Sequence, residues 1–96
     1  MREKCGYVYI LASKRNGTLY IGVTSDLQAR MCQHKNNLVE GFTNKYHVHI
    51  LVWYRQSDSI KSAIEEEKKL KRYKRAWKLQ LIEENNPTWQ DLSDTL

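Results

Sequence analysis

A carboxylate on an apolar helix face is the residue in this sequence whose position most directly suggests chemistry. Glu67 follows Ile60 by seven residues, Ala63 by four and Ile64 by three, so helical periodicity places it on the apolar stripe of its helix. Packing favours an apolar side chain at this position. A carboxylate that interrupts the apolar pattern at a single position indicates function or strain. One interpretation is a functional carboxylate, and the other is an internal salt bridge to a lysine or to Arg30.

Tyrosines recur on one face of a predicted hairpin near the N-terminus. Residues 7–12 and 19–24 are rich in β-branched and aromatic side chains and flank Asn16-Gly17, a pair that tolerates the positive φ angles of a tight turn. With these two as the turn residues, Leu11 faces Gly22, and a register slip of two would keep the same faces. The aliphatic face collects Val8, Ile10, Ala12, Leu19, Ile21 and Val23. The other collects Tyr7, Tyr9, Leu11, Tyr20 and a side-chain-free notch at Gly22. Strand propensity explains the tyrosines but not their shared face.

Cap signals and periodicity predict the helix that follows the hairpin. Ser25, with Gln28 three residues later, forms a capping box, and the helix should run to about residue 37. Its apolar stripe consists of Leu27, Met31 and Leu38. Arg30 and His34 lie four residues apart at the border of this stripe, which directs them along the seam between helix and sheet. The alternatives are a hydrogen-bonded, partly buried His34 and an Arg30 that only packs its aliphatic stem.

The second half of the chain predicts one more strand and a long helical run. Residues 47–55 are apolar on both faces toward their end, so this strand should be central or covered on both sides. His47 and His49 alternate onto one face, but without a third ligand nearby they do not predict a metal site. Residues 57–59 are an N-cap cluster for the helix, whose broad apolar face contains Ile60, Ala63, Ile64, Leu70, Trp77 and Leu81.

The helical run from residue 60 to 84 contains neither glycine nor proline. A single helix of that length, at about 1.5 Å per residue, would outreach so small a domain, so a break near Tyr73–Ala76 is expected. Asn86-Pro87 ends the run, and Trp89 should pack back on the body.

Composition limits the class of protein. The 96 residues predict one domain, 1–96, with 41% hydrophobic and 28% charged residues, which is typical of a globular chain. No apolar run approaches the ~20 residues that span a bilayer, and the N-terminus lacks a signal-peptide pattern. Cys5 and Cys32 form no CxxC or zinc spacing. A reduced, cytoplasmic setting without a membrane partner is therefore expected.

The net charge of +5 is concentrated in one window that favours a polyanion. The window contains Lys68, Lys69, Lys71, Arg72, Lys74, Arg75 and Lys78. Tyr73 and Trp77 lie among these cations, as in surfaces that combine phosphate contacts with stacking. The alternative is a solvated helix face with i,i+4 pairs such as Glu65–Lys69 and Glu67–Lys71.

Together these segments resemble the GIY-YIG nuclease superfamily, and most closely its small stand-alone bacterial members. Tyr7-Val8-Tyr9 and, after ten residues, Tyr20-Ile21-Gly22 are similar to the paired tripeptides of that superfamily. The later motifs are matched in order and spacing by Arg30 with His34, by Glu67 and by Asn86. The resemblance covers nearly the whole chain. It implies an α/β (α+β) fold with a three-stranded antiparallel sheet flanked by helices.

The resemblance also implies an activity, namely hydrolysis of DNA phosphodiesters with one divalent ion, Mg²⁺ or Mn²⁺, held by Glu67. Arg30 would neutralise developing charge on the phosphate. Tyr20 would orient or deprotonate the attacking water, and Tyr9 and His34 would position the phosphate or assist proton transfer. The supporting positions are Gly22 and Asn86. The residues predicted to contact nucleic acid, with DNA favoured over RNA, come from the basic window and are Lys68, Lys71, Arg72, Lys74, Arg75 and Lys78.

Three functions remain open at this point. A metal-dependent endonuclease predicts cleavage that Glu67→Gln abolishes, and a non-catalytic nucleic-acid-binding module predicts salt-sensitive binding that survives the substitution. A protein-interaction adaptor would use Trp53, Tyr54 and Trp77 as a contact patch. Superfamily nucleases usually carry a second domain for DNA recognition, and none fits in 96 residues. Specificity is therefore expected from nucleic-acid shape, a homodimer or a partner protein.

Overall fold

A three-stranded antiparallel sheet forms the centre of the computed structural model, which describes residues 5–35 and 48–96. The strands are β1 (Gly6–Ala12), β2 (Leu19–Thr24) and β3 (Ile50–Ser57), in the spatial order β2-β1-β3. The α-helices of the described residues are α1 (Leu27–Lys35), α2 (Ile60–Lys71) and α3 (Arg75–Asn85), and a 3₁₀ helix follows at Leu92–Thr95. The expected α+β architecture is confirmed.

The hairpin of β1 and β2 has the predicted faces but not the predicted register. Tyr9 lies opposite Gly22, and Leu11 lies opposite Tyr20. A two-residue turn at Asn16-Gly17 would instead place Leu11 opposite Gly22, so the predicted pairing is wrong by two residues. Because side chains alternate with a period of two, this difference leaves each residue on its predicted face.

The turn between these strands is longer than a two-residue loop. The Ser13 N–H donates to the Thr18 carbonyl at 3.0 Å, and inside this pair the Gly17 N–H donates to the Lys14 carbonyl at 2.9 Å. Asn16 has a φ of 58°, a left-handed conformation that asparagine tolerates better than most residues. The Asn-Gly pair therefore does supply the positive φ, but inside a wider loop.

Helices cover both faces of the sheet, so β1 is buried on both sides. The core on the α2 and α3 face contains Val8, Ile10, Ala12, Ile21, Val52, Trp53, Ala63, Leu70, Ile82 and Trp89. The core on the α1 face contains Tyr9, Leu11, Leu27, Met31, Val48 and Leu51. The third predicted strand begins at Ile50, and His47 lies outside the described residues. It is covered on both sides at residues 51–53, as expected, but it is an edge strand and not a central one.

The N-cap of α1 is Asp26 and not Ser25. The Asp26 carboxylate accepts a hydrogen bond from the Ala29 N–H at 3.1 Å. Both residue types are good N-caps, and the local signal does not distinguish neighbours. Leu27 and Met31 are buried as predicted, whereas the predicted helix end near residue 37 and the stripe position Leu38 lie outside the described residues.

The long helical run is interrupted at residues 72–74, which overlaps the break expected near Tyr73–Ala76. Ser59 caps α2 by accepting the Ser62 N–H at 3.1 Å, α2 ends at Lys71, and α3 begins at Arg75. Helical periodicity does not continue through this break, so the predicted burial fails for Trp77, which is 62% exposed. Ile64, at the margin of the predicted stripe, is 37% exposed as well.

The C-terminal segment folds back on the sheet through a buried asparagine. Asn86 Nδ2 donates to the Val52 carbonyl at 3.1 Å and to the Gln90 carbonyl at 2.9 Å. Trp89 is buried, as predicted, and its Nε1–H donates to a Glu83 carboxylate oxygen at 2.9 Å. Within the two described segments, no helix combines the length and apolar character needed to cross a membrane.

Candidate active site

The notch at Gly22 is filled by the ring of Tyr9. A Cβ built on Gly22 would lie 2.4 Å from both Cζ and Oη of Tyr9, far inside van der Waals contact. The cross-strand pairing of these two residues in β1 and β2 produces this contact. Tyr9 is 2% exposed, and its hydroxyl end occupies the space that a side chain at position 22 would fill. The position of this hydroxyl therefore depends on a glycine at residue 22.

Three rings from three elements meet around the Tyr9 hydroxyl. The Tyr9 and Tyr20 centroids are 6.4 Å apart, and His34 on α1 lies 6.1 Å from each of them. The Tyr9 hydroxyl oxygen is 3.5 Å from His34 Nε2. The structure thus brings together the tyrosine face of the hairpin and the histidine that the sequence placed at the helix–sheet seam.

Two charged side chains act on the same hydroxyl. Burial raises the pKa of Tyr9 well above its ordinary value of 10, and the neighbouring Tyr20 phenol adds to this effect. The Arg30 guanidinium lowers the pKa of Tyr9, and the Glu67 carboxylate raises it. Because the net shift is upward, Tyr9 is a neutral phenol at physiological pH and can donate a hydrogen bond, but it cannot serve as a base.

His34 is neutral for a related reason. It is 2% exposed, and burial, with the nearby charges of Arg30 and His49, lowers its pKa from 6.5 to about 4. Its Nδ1 is buried without a hydrogen-bond partner among the described residues. The proximity of His49 is a feature that sequence reasoning missed, since residue 49 precedes the strand and no local pattern relates it to α1.

The depressed pKa of His34 predicts a loss of stability in acid. The unfolded chain takes up the proton below about pH 6.5 and the folded chain only near pH 4, so this contribution is complete above pH 6.5 and is lost as the pH falls through that window. The two pKa values set an upper limit of about 3 kcal/mol. Urea unfolding of the wild type and His34→Gln at pH 7.5 and 4.5 measures it. Equal losses of stability in both proteins would contradict the assignment.

Glu67 forms a salt bridge with Lys71, which lies one turn further along α2. Its Oε1 lies 3.1 Å from Lys71 Nζ, and the side chains are 15% and 55% exposed, respectively. The carboxylate is therefore mostly shielded from bulk solvent, and it is close enough to Tyr9 to affect the pKa of that phenol. The salt bridge considered from sequence is present with Lys71 and not with Arg30.

A concavity of about 310 Å³ opens along the outer edge of the sheet, next to this ion pair. It is lined by Leu19, Tyr20, Ile21, Lys71 and Lys78. Three consecutive residues of β2 line it because β2 is an edge strand, so its rim is not covered by another strand. Tyr20 and the lysine partner of Glu67 thus share one cleft, with a second lysine from α3 beside them.

Two residues of the predicted basic window have internal partners, because Lys71 pairs with Glu67 and Arg75 binds the hairpin turn. Lys68, Arg72 and Lys74 are exposed. Arg75 Nη2 donates to the carbonyls of Asn16 and Gly17 at 2.8 and 2.6 Å, so it joins the start of α3 to the hairpin turn. The aromatic contact patch considered from sequence does not form as one surface, because Trp53 is 4% exposed.

Comparisons with known proteins identify the family of this chain. The family model described as GIY-YIG catalytic domain matches residues 5–80. UPF0213 protein SH2523 of Staphylococcus haemolyticus is 33% identical over 78 residues, which cover 81% of this chain and 94% of that protein. UPF0213 protein SSP2268 of Staphylococcus saprophyticus is 32% identical over 78 residues, with the same coverage of 81% of this chain and 94% of that protein.

A solved structure extends the likeness to the fold. The solution NMR structure of UPF0213 protein BH0048 from Bacillus halodurans superimposes with a TM-score of 0.56 and 26% identity, covering 91% of this chain and 92% of that one. The domain that the family model describes is generally found in endonucleases. The chain belongs to the GIY-YIG family.

Proposed function

We propose that this chain is a divalent-metal-dependent endonuclease that hydrolyses DNA phosphodiester bonds and selects its substrate by structure more than by sequence. The observation that supports this most is the convergence on Tyr9. Tyr20 and His34 lie against its ring. The positive charge of Arg30 and the negative charge of Glu67 shift the pKa of its hydroxyl in opposite directions. Family membership favours a nucleic-acid substrate, and the cations around α3 favour it independently.

The donor set fits a hard cation of the Mg²⁺ or Mn²⁺ type. Within residues 5–35 and 48–96 no three His, Cys, Asp or Glu side chains are grouped to hold a metal, which argues against a zinc-like site. A single carboxylate suits an ion that keeps several waters and takes other ligands from a phosphate. Glu67 would hold it, and when bound it would polarise the phosphate and stabilise the leaving oxygen.

The protein side chains divide the remaining work. Tyr9 donates a hydrogen bond to a phosphate oxygen, a role that its neutral state allows. Arg30, whose charge acts on the same hydroxyl, would offer a bidentate guanidinium to the equatorial oxygens as their charge grows. Tyr20 lines the open cleft, where its hydroxyl can orient the attacking water and accept its proton while releasing its own proton to solvent. His34, neutral and buried, holds the Tyr9 hydroxyl in place.

The ion pair of Glu67 with Lys71 predicts that Lys71→Met tightens divalent-metal binding to the DNA-free protein. The ammonium competes with a metal for the carboxylate, and a pair of this exposure is worth up to about 1 kcal/mol, which corresponds to about five-fold in affinity. Titration with Mn²⁺ followed by electron paramagnetic resonance measures it. Lys71→Arg is the matched control because it keeps the charge. Weaker Mn²⁺ binding by Lys71→Met than by the wild type would contradict the competition.

A substrate panel tests the proposed activity. Labelled single-stranded, nicked, flapped, branched and plain duplex DNA is incubated with Mn²⁺ or with EDTA. We expect cleavage of one or more of the non-duplex forms with the metal and none with EDTA, because a lone carboxylate without its ion cannot stabilise the leaving oxygen. Equal cleavage under both conditions would overturn the metal dependence.

The Lys71 contact also favours a second function, a non-catalytic DNA-binding module, because a carboxylate already neutralised by a lysine need not hold a metal. Binding that weakens with salt, together with no cleavage of any form in the panel, would support this second function. We further propose a cytoplasmic site of action, with nucleic-acid shape, a homodimer or a partner protein supplying the specificity.

A further inference from the structure

Trp77 on α3 is the one tryptophan of this chain that faces solvent. It is 62% exposed, whereas Trp53 and Trp89 are 4% and 5% exposed. One side of its ring is held by Tyr73, with centroids 5.6 Å apart and planes at 68°, and Tyr73 itself packs against the core. The tryptophan is thus braced from one side and open on the other, as a stacking surface requires.

The charge around Trp77 favours a polyanion over an apolar protein surface. Seven lysines and arginines occur from residue 68 to 78, and no acidic residue occurs between 68 and 82. Arg72 and Lys74 are exposed within this segment. Such a density of cations repels a basic partner surface, gives no net attraction to a neutral one and attracts a phosphate backbone.

The concavity beside Trp77 has groups suited to a base rather than to a phosphate. It measures about 310 Å³ and is lined by Tyr73, Trp77, Gln80, Leu81 and Glu84. The Gln80 amide both donates and accepts hydrogen bonds, and the Glu84 carboxylate accepts them from amino groups. A carboxylate would repel a phosphate, so the backbone belongs on the cations and the base belongs in the concavity.

Trp77 is also next in sequence to a residue of the candidate active site. Lys78 lines the cleft that contains Tyr20 and Lys71. Arg75 fixes the same end of α3 to the hairpin turn through the Asn16 and Gly17 carbonyls. A DNA strand whose base lies on Trp77 therefore has its backbone close to the cleft.

We propose that Trp77 stacks an unpaired base of the substrate, so that the preferred substrates carry a single-stranded segment beside the bond to be cut. This inference rests on the proposed function for the identity of the ligand as DNA, and it adds the class of DNA. A base inside a duplex is stacked on both faces and cannot reach the ring, whereas an unpaired base can.

Tryptophan fluorescence provides the test, because the two buried tryptophans contribute a constant background. The Glu67→Gln protein, which would bind without cutting, is titrated in Mg²⁺ with single-stranded, flapped and blunt duplex oligonucleotides. We expect the first two to quench the emission. When binding is followed instead by the fluorescence anisotropy of a dye-labelled oligonucleotide, they should bind at least ten-fold more weakly to the same protein carrying Trp77→Ala. Trp77→Phe should retain most of the affinity, and duplex binding should not change. Lys61→Gln, an exposed cation outside the basic segment, is the control.

Each outcome separates this inference from the proposed function. If Trp77→Ala weakens the binding of single-stranded and duplex DNA equally, or weakens neither, the stacking role is wrong. Cleavage of DNA by the wild type would still support the proposed nuclease activity in that case. If no DNA form binds, both proposals fail. Quenching that appears with rising protein concentration and without DNA would place a second copy of the chain on Trp77 and overturn the inference.

Discussion

Glu67→Gln is expected to lower the rate of DNA cleavage by about 1,000-fold or more while leaving the fold and the affinity for DNA nearly unchanged. An amide has the shape of the carboxylate but not its charge, so it cannot hold a hard divalent ion. Loss of metal stabilisation of the phosphate transition state is worth several kcal/mol, and about 4 kcal/mol corresponds to a factor of 1,000.

The measurement is single-turnover cleavage of the best substrate in the panel, with Glu65→Gln as the matched control. Glu65 is exposed on the same helix and is not among the residues that act on Tyr9. The thermal stability of Glu67→Gln should change little, because a partly exposed pair with Lys71 contributes no more than about 1 kcal/mol. A variant that cuts within ten-fold of the wild type would remove Glu67 from the proposed mechanism.

Gly22→Ala is expected to destabilise the fold by about 3 kcal/mol and to disable the site together with it. The added methyl would collide with Cζ and Oη of Tyr9, and the ring is buried and lies against both Tyr20 and His34. Overpacking of this kind costs about 1–3 kcal/mol, and a collision with the hydroxyl end of a confined ring is at the upper end of that range. The hydroxyl would move even if the chain still folded.

A double-mutant cycle isolates this collision from a general effect on the strand. In a Tyr9→Leu background the clashing atoms are absent, so the cost of Gly22→Ala in urea unfolding should fall to below about 1 kcal/mol. If the alanine costs the same in both backgrounds, the ring of Tyr9 is not what requires a glycine at this position.

The features that follow from local periodicity could be predicted from the sequence. The sorting of the hairpin faces and the placement of Glu67 on a partly buried stripe depend on alternation and helical spacing, and the break before Arg75 follows from the length of the helical run. The hairpin register could not be obtained in the same way, since a shift of two residues preserves every face. The cap of α1 was misplaced by one residue because Ser25 and Asp26 are equivalent signals.

The features that depend on tertiary packing were not predictable. The sequence indicated that Tyr9, Tyr20 and His34 were candidates, but not that the Tyr9 ring fills the space at Gly22. Nor did any pattern indicate that His49 lowers the pKa of His34, because the relevant distance spans two elements. Lys71 was one of two alternatives for a pair with Glu67, and only the folded chain distinguishes them.

The Arg75 contact with the hairpin limits how the first loop can vary in related sequences. Surface turns ordinarily tolerate insertions because nothing distant depends on their length. Here a guanidinium 58 and 59 residues away binds two successive carbonyls of the loop. Lengthening the loop would shift those carbonyls and release the arginine, so loop length and the identity of residue 75 should change together during evolution.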